Sequence, residues 1–539
     1  MSSFFCRRTV GSVLCCLYEA ATPVRTGFIL IEARNSMKMQ RSIFALFALV
    51  GTVFIPSLVH SQTISSFEGL DASQLPVASL EVDHNGAVGT KQYLEWVNSY
   101  YQAYDKTTGA AIWASPQEGD QPWINANLTN CYGTGGGEGM ILFDRLASRW
   151  VIAKRAGPST NVYYYCIAIS NTDDLSSSSL AWFTYEFNIS SNLGVNSAGN
   201  VYYPDWPKIG TWSDGYYASF DLEDPNNSYQ EIGVVVCAFD RTNMIIGGTA
   251  RKQQCFSNPS PIPTKGALYL SHSLLPADID GTTAPKTGQH EFLVSILNPT
   301  ANGKATTSTK INLWNFHVNW TTPTSSTFTH GTLTVPSYEP GCYDVSNPVN
   351  TFCVNEPSST TTGIYIDSIG DRLEPRLAFR NLGTYSSFLF SHTVQVGTGT
   401  NQQTGIRWYE LRGTTTPTLY QDGTVTNGTT VYRTTPSIAQ DQSGNAAVGY
   451  TAVGSNLHPA SRVSYWSLPN KTAFTELQII GGVGDEENSS LWGNLSSMTV
   501  DPIDNCTFWY LNRYYQTNQT GTLVNFNTRI GNFKLSTCQ

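Results

Sequence analysis

The sequence predicts an all-β fold, a single β-propeller of about seven four-stranded blades with a range of six to eight, on three observations. Beyond residue 62, short runs rich in β-branched and aromatic residues alternate with clusters of Gly, Asn, Asp, Ser and Pro, the pattern of strands punctuated by turns. Helical periodicity is nearly absent, which leaves a sandwich array, a barrel or a propeller. A degenerate hairpin then recurs along the chain, and recurrence at a regular spacing is what radial repetition produces, whereas a string of unrelated sandwiches would not repeat a hairpin.

Taken in order, clear strands are expected at Arg149–Lys154, Val162–Ile169, Leu180–Phe187, Ile232–Phe239, Ala267–Ser271, Glu291–Leu297 and Ile311–Trp320. Later ones fall at Gly363–Ile366, Phe388–Val396, Ile406–Leu411, Ala446–Ala452 and Cys506–Leu511. Gln92–Tyr104 is faintly helical in pattern, yet its Tyr, Trp and Val content suits a strand as well. The hairpin runs from a short apolar strand, through an Asp/Asn/Gly turn, into an aromatic-rich strand. Its copies begin at Ile141, Pro207, Leu377, Pro436 and Met498, giving separations of 66, 170, 59 and 62 residues. The gap of 170 has room for two further units, around Ala267 and Ile311. Residues 62–138 then close the ring or form a partial blade.

Composition bounds the partners. Charged residues make up 13 % of the 539, aromatics 12 %, and the net charge is −9 with the acids scattered. Nucleic acid, which demands clustered Lys and Arg, is excluded as a partner. Residues 37–61 read as a secretory signal: Lys38 and Arg41 lead an apolar run from Ile43 to Ile55, Pro56 breaks it, and Val59-His60-Ser61 offers a cleavage site. The run is short of the roughly 20 residues a membrane span prefers, so no stable span is expected. Residues 1–36 form an upstream extension of unknown role, and 62–539 the propeller.

Cysteine usage agrees with export. Cys6, Cys15 and Cys16 precede the signal; Cys131, Cys166, Cys237, Cys255, Cys342, Cys353, Cys506 and Cys538 follow it. Eight cysteines after a leader suggest four disulfides in an oxidising compartment, with sequential pairing the simplest guess. Sequons at Asn127, Asn188, Asn226, Asn319, Asn427, Asn470, Asn488, Asn494, Asn505 and Asn518 are compatible with a glycoprotein.

Phrases spread over nearly the whole mature chain also resemble a family of secreted, mostly bacterial β-propeller-like proteins without an assigned activity. They include Asn85-Gly86-Ala87-Val88-Gly89, Phe143-Asp144-Arg145-Leu146-Ala147, Tyr203-Pro204-Asp205-Trp206-Pro207-Lys208, Leu275-Pro276-Ala277-Asp278-Ile279-Asp280-Gly281, Arg407-Trp408-Tyr409-Glu410 and Cys506-Thr507-Phe508-Trp509-Tyr510. The resemblance implies an extracellular all-β fold. Against the family's Trp-Gly-Asp, Asp-Asp-Cys and Asn-Glu-Tyr, this chain has Trp492-Gly493-Asn494, Asp504-Asn505-Cys506 and Asn512-Arg513-Tyr514. Any chemistry those carboxylates perform in relatives is expected to be lost here.

No nucleophile elbow, His-Glu-x-x-His pair or Walker loop occurs, and no catalytic or cofactor residue is assigned. The stretch Gly133–Gly139 precedes a strand, not the helix a phosphate cradle needs, and reads as a flexible turn. Asp278 and Asp280 are weak calcium candidates, and calcium is the only cofactor considered, because their spacing before Gly281 is a fragment of a calcium loop. Carboxylates open to glycoside chemistry are Asp205, Asp214, Asp240, Glu374 and Asp441; Arg376, Arg380 and Arg407 are the candidate arginine trio. His317 and His330 are a candidate pair on adjacent strands. The leading functional expectation is an extracellular binding scaffold for an unknown ligand, a glycan or a matrix protein. The alternative is a secreted carbohydrate-active hydrolase or lyase with carboxylates in the central funnel. Converging carboxylates beside Arg or Tyr would favour the enzyme, and a funnel plugged by Leu, Phe and Trp the scaffold.

Overall fold

The structure, a computed structural model, describes residues 64–75, 82–133, 138–258, 273–296, 308–342, 352–397, 402–426, 430–467, 474–487, 489–493, 495–519 and 525–538. The candidate leader, the expected strand at Ala267–Ser271 and the sequons Asn427, Asn470, Asn488 and Asn494 lie outside the described residues.

The described residues form seven four-stranded antiparallel blades. Their inner strands are His84–Val88, Met140–Asp144, Tyr203–Thr211, Leu275–Ile279, Glu374–Asn381, Tyr432–Gln440 and Ser497–Val500. Successive inner strands touch, and the seventh returns to the first, so the ring closes around a central channel. Between blades 4 and 5 the contact becomes a parallel ladder pairing Ala277 with Leu377 and Ile279 with Phe379. Blades 1 to 6 run outward in chain order. Blade 7 takes its outermost strand from the other end of the chain: Ser65–Asp71 pairs antiparallel with Phe526–Lys534, Phe67 opposite Ile530.

Each blade is sandwiched between two others, so its middle strands are apolar on both faces. In Tyr216–Asp224, side chains alternate: Tyr216, Ala218, Phe220 and Leu222 pack with Val151, Tyr165 and Ile167 of blade 2, while Tyr217 packs with Trp314 and Phe316 of blade 4. Adjacent aromatics such as Tyr216-Tyr217 are therefore core, one ring to each neighbouring blade.

All five hairpins read from the sequence are the innermost strand pairs of blades 2, 3, 5, 6 and 7. The other two blades lie elsewhere than expected. The long gap holds only blade 4, in which Ile311 belongs to the third strand, Ser308–His317; residues 84–118 supply a complete blade 1. Gln92–Tyr104 is a hairpin of Gln92–Val97 and Tyr100–Asp105, and Gly363–Ile366 is mostly a turn after a short helix. Disulfides join Cys131 to Cys166, Cys237 to Cys255, Cys342 to Cys353 and Cys506 to Cys538, each to the next cysteine along the chain. Among the described residues no helix is long and apolar enough to cross a membrane.

Candidate active site

The inner strands begin at one end of the channel, its mouth, and finish at the other, its floor. At the floor, Arg376 donates to Asp280 and to Asp278 (Nη2 to Oδ2, 2.7 Å). The remaining oxygens of these acids accept from backbone amides of other blades, Asp278 from Thr211 at 3.1 Å and Asp280 from Gln440 at 3.1 Å. Arg145 donates to the carbonyls of Ile279 (2.8 Å) and Val500 (2.6 Å), and Arg380 to those of Gln440 and Asp280, both 2.7 Å. Three arginines thus tie the ends of inner strands from blades 4 to 7. Burial pushes Arg380 down to about 10, while Asp280 and Asp278 hold Arg376 above its ordinary value. The carboxylates weighed for calcium face an arginine, and among the described residues no cluster of three or more His, Cys, Asp or Glu stands ready for a metal ion.

The mouth is built differently. The inner strand of blade 3 carries a bulge between Asp205 and Lys208, with Trp206 at a left-handed φ of 48°. Such a bulge re-aims side chains, and here Trp206 lines the opening with Asp205 beside it. Asp205 hydrogen-bonds to two other carboxyls, Glu138 before the inner strand of blade 2 and Glu223 on the second strand of blade 3. A chain of carboxyl groups bonded to one another must hold protons. Burial, reinforced by Asp205 and Glu231, pushes Glu223 up to about 8; burial and then Asp205 hold Glu138 well above the ordinary range.

Cations and rings surround this trio. Arg155 lies 3.5 Å from Glu138 and stacks 4.3 Å over Tyr203. The Trp206 ring has Lys208 at 4.5 Å and Arg372 at 4.4 Å. Arg372 also pairs with Asp371 (2.9 Å) and Glu231 (3.6 Å). Lys208 is 3 % exposed; its ammonium also donates to the Trp206 carbonyl, at 3.4 Å, and burial lowers its pKa despite Asp221, Glu138 and Glu374 nearby. Glu374 is buried and held well above the ordinary carboxyl range. A cleft of about 230 Å³ and a channel of about 560 Å³, both counted with the open solvent at their ends, meet here; Asp83, Glu138, Trp206, Lys208 and Leu495 line the first, and the second reaches on to Arg145, Asp278 and Arg376.

Of the five acids singled out in the sequence, the mouth gathers two, Asp205 and Glu374. Asp214 accepts from Tyr217 in a hairpin turn, Asp240 binds Arg251, and Asp441 organises the turn at Asn445. The arginine trio does not form: Arg407 lies on the third strand of blade 5, paired with Asp422 at 2.8 Å. His317 faces Thr327, not His330, and stacks on His290 at 4.4 Å. Asn505 and Arg513 do not share a site either. Asn505 is at the floor, 3.4 Å from Arg380, whereas Arg513 is buried near the mouth, 4.2 Å over Trp492. Sequence reasoning missed Glu138, inside the glycine-rich stretch, and Glu223, at the end of an apolar strand.

No family model and no curated protein matches the chain. Solved structures similar to it include a Penicillium chrysogenum alpha-L-arabinanase (8 % identity over 86 % of this chain and 98 % of that one, TM-score 0.36). A thermostable family-43 glycoside hydrolase follows (9 %, 64 % and 93 %, TM-score 0.28), and a Trypanosoma rangeli sialidase (9 %, 87 % and 59 %, TM-score 0.34). Asp83 and Glu138 line the opening, and Glu138 pairs with Arg155, so carboxyls beside an arginine converge there as the carbohydrate-active alternative requires. The expectation of a non-enzymatic scaffold is corrected accordingly.

Proposed function

We propose that this protein is an exported carbohydrate-active hydrolase whose site is the carboxyl trio at the channel mouth. The observation that carries the reading is the Glu138–Asp205–Glu223 chain, in which proton-holding acids stand next to a further carboxyl. Glycoside hydrolysis needs this division of labour: one carboxyl group to protonate the leaving oxygen and one ionised partner to meet the positive charge growing at the anomeric carbon.

Glu223, with its proton retained to about pH 8, is the general acid. It gives that proton to the glycosidic oxygen as the bond to the anomeric carbon breaks. Asp205 is the carboxylate that faces the sugar; water supplies the hydroxyl to the anomeric carbon and returns a proton to Glu223. Glu138, backed by Arg155, is a positioning residue for Asp205. The half-buried rings of Trp206 and Tyr203 supply apolar surface against which a sugar face can lie. The leader pattern and the four disulfides support export, and the exposed sequons Asn127, Asn188, Asn226 and Asn518 support glycosylation.

The test is reducing-sugar release from a broad polysaccharide panel by the full chain and by Asp205→Asn and Glu223→Gln. Release that both substitutions abolish supports the reading. No release on any polysaccharide, or equal release by all three proteins, defeats it.

A further inference from the structure

Three tyrosines stand in a row beside the carboxyl trio. Tyr163, on the third strand of blade 2, meets Tyr203 edge-on at 5.8 Å, and Tyr203 meets Tyr229 edge-on at 5.8 Å. Tyr203 is two residues from Asp205 on the same inner strand. Tyr229 sits in the turn between the second and third strands of blade 3 and is 55 % exposed. The backbone there is unusual: Ser228 and Tyr229 both lie in the left-handed region, at φ 51° and 54°. Two successive non-glycine residues in that region are disfavoured, and strain of this kind collects where a side chain is being presented. The turn is fixed from below by Asn196, which donates to Asp224 and Asn226 at 2.8 Å each.

We infer that the exposed ring of Tyr229, backed edge-on by Tyr203, is a stacking platform that extends the carboxyl site outward over blades 2 and 3, so that the ligand is a neutral oligosaccharide chain of several sugars. This rests on the carbohydrate reading of the mouth. Aromatic rings offer broad apolar faces with a polar rim, the match for a pyranose or furanose face. Neutrality follows from the cations nearest the platform, which are already engaged: Arg155 by Glu138 and the Tyr203 ring, and Arg372 by Asp371 and Glu231. A sugar at the trio is thus continuous with a second surface leading away from the channel, and each added unit along that surface adds contact.

The experiment is isothermal titration of the full chain carrying Asp205→Asn with ladders of malto-, cello-, xylo-, arabino- and chito-oligosaccharides, from disaccharide to hexasaccharide. Affinity rises with length for at least one ladder. Tyr229→Ala, added to the same background, reduces the hexasaccharide's advantage over the disaccharide by about tenfold, and Tyr229→Trp preserves it. An affinity independent of length, an unchanged advantage in Tyr229→Ala, or no binding of any ladder overturns the platform. Asn226→Gln tests the nearby sequon: if length-dependent binding emerges only there, the occupant is the chain's own glycan and the inference fails. Hydrolysis of the same ladders by the wild-type chain is scored separately. Length-dependent binding without hydrolysis sinks the hydrolase and leaves the platform, and hydrolysis indifferent to Tyr229 does the reverse.

Discussion

At the floor of the channel, Asp278 and Asp280 meet Arg376; at the mouth, Glu138, Asp205 and Glu223 meet one another. Both ends are largely withdrawn from water and both are rich in charge, yet only one can do acid–base work. A carboxylate held by a guanidinium and a backbone amide has no capacity left for a substrate, and it fastens strands together. Carboxyls that must share protons keep groups poised to give or take one near neutral pH. Partner choice, more than the presence of acids, separates a rivet from a reactive centre.

Breaking the mouth should produce the largest effect. Asp205→Asn removes the central carboxyl of the trio, and sugar release falls by about 10²–10⁴ in initial-rate assays, while the melting curve by circular dichroism barely moves. Breaking the floor acts on stability instead. Arg376→Met leaves Asp278 and Asp280 uncompensated, and equilibrium unfolding in urea loses about 3–5 kcal/mol. Should Asp205→Asn unfold the protein and Arg376→Met merely slow it, the two ends have been assigned the wrong way round.

The comparison sharpens with pH. Glu223 keeps its proton to about pH 8 in the fold but loses it near 4.5 when unfolded. Between those values the folded state binds the extra proton, so this group stabilises fully below pH 4.5 and that contribution drains away as pH climbs through 8. Thermal melts of Glu223→Gln therefore decline less between pH 5 and 9 than those of wild type, and wild-type turnover has an alkaline limb near pH 8. Parallel melts for the two proteins would remove Glu223 from the acid role. The smallest effect belongs to Arg407→Gln, in the same blade as Arg376 but partly exposed and matched to one aspartate; urea titration should register about 1 kcal/mol or less.

Much of the ring was legible because the inner hairpins of blades 2, 3, 5, 6 and 7 repeat one apolar–turn–aromatic phrase. Blade 4 hid because its inner strand and second strand are parted by residues 280–290, which replaces the tight Asp/Asn/Gly turn with a long loop. Blade 1 hid because its hairpin turns on Gly89-Thr90-Lys91 and follows a strand with only two apolar side chains, Ala87 and Val88. Half of the site was similarly visible. Asp205 stood out in a distinctive Tyr-Pro-Asp-Trp-Pro-Lys phrase, but Glu138 looked like loop and Glu223 like the fraying end of a strand. Their convergence depends on the bulge at Asp205–Lys208 and on two blades meeting, neither of which leaves a local pattern. Gly139, next to Glu138, was the one available hint: a Cβ there would collide with the Trp96 ring.

The strand Ser65–Asp71 has a further consequence for biosynthesis. Its ladder partner lies some 460 residues downstream, as the Arg529–Ser66 bond across 463 positions illustrates. At a translation speed of about 5–20 residues per second, that segment leaves the ribosome roughly 25–90 s before anything exists for it to pair with. During this interval it is a bare β edge, and such edges recruit other chains. Whatever escorts the nascent polypeptide must shield this edge until the last hairpin has emerged.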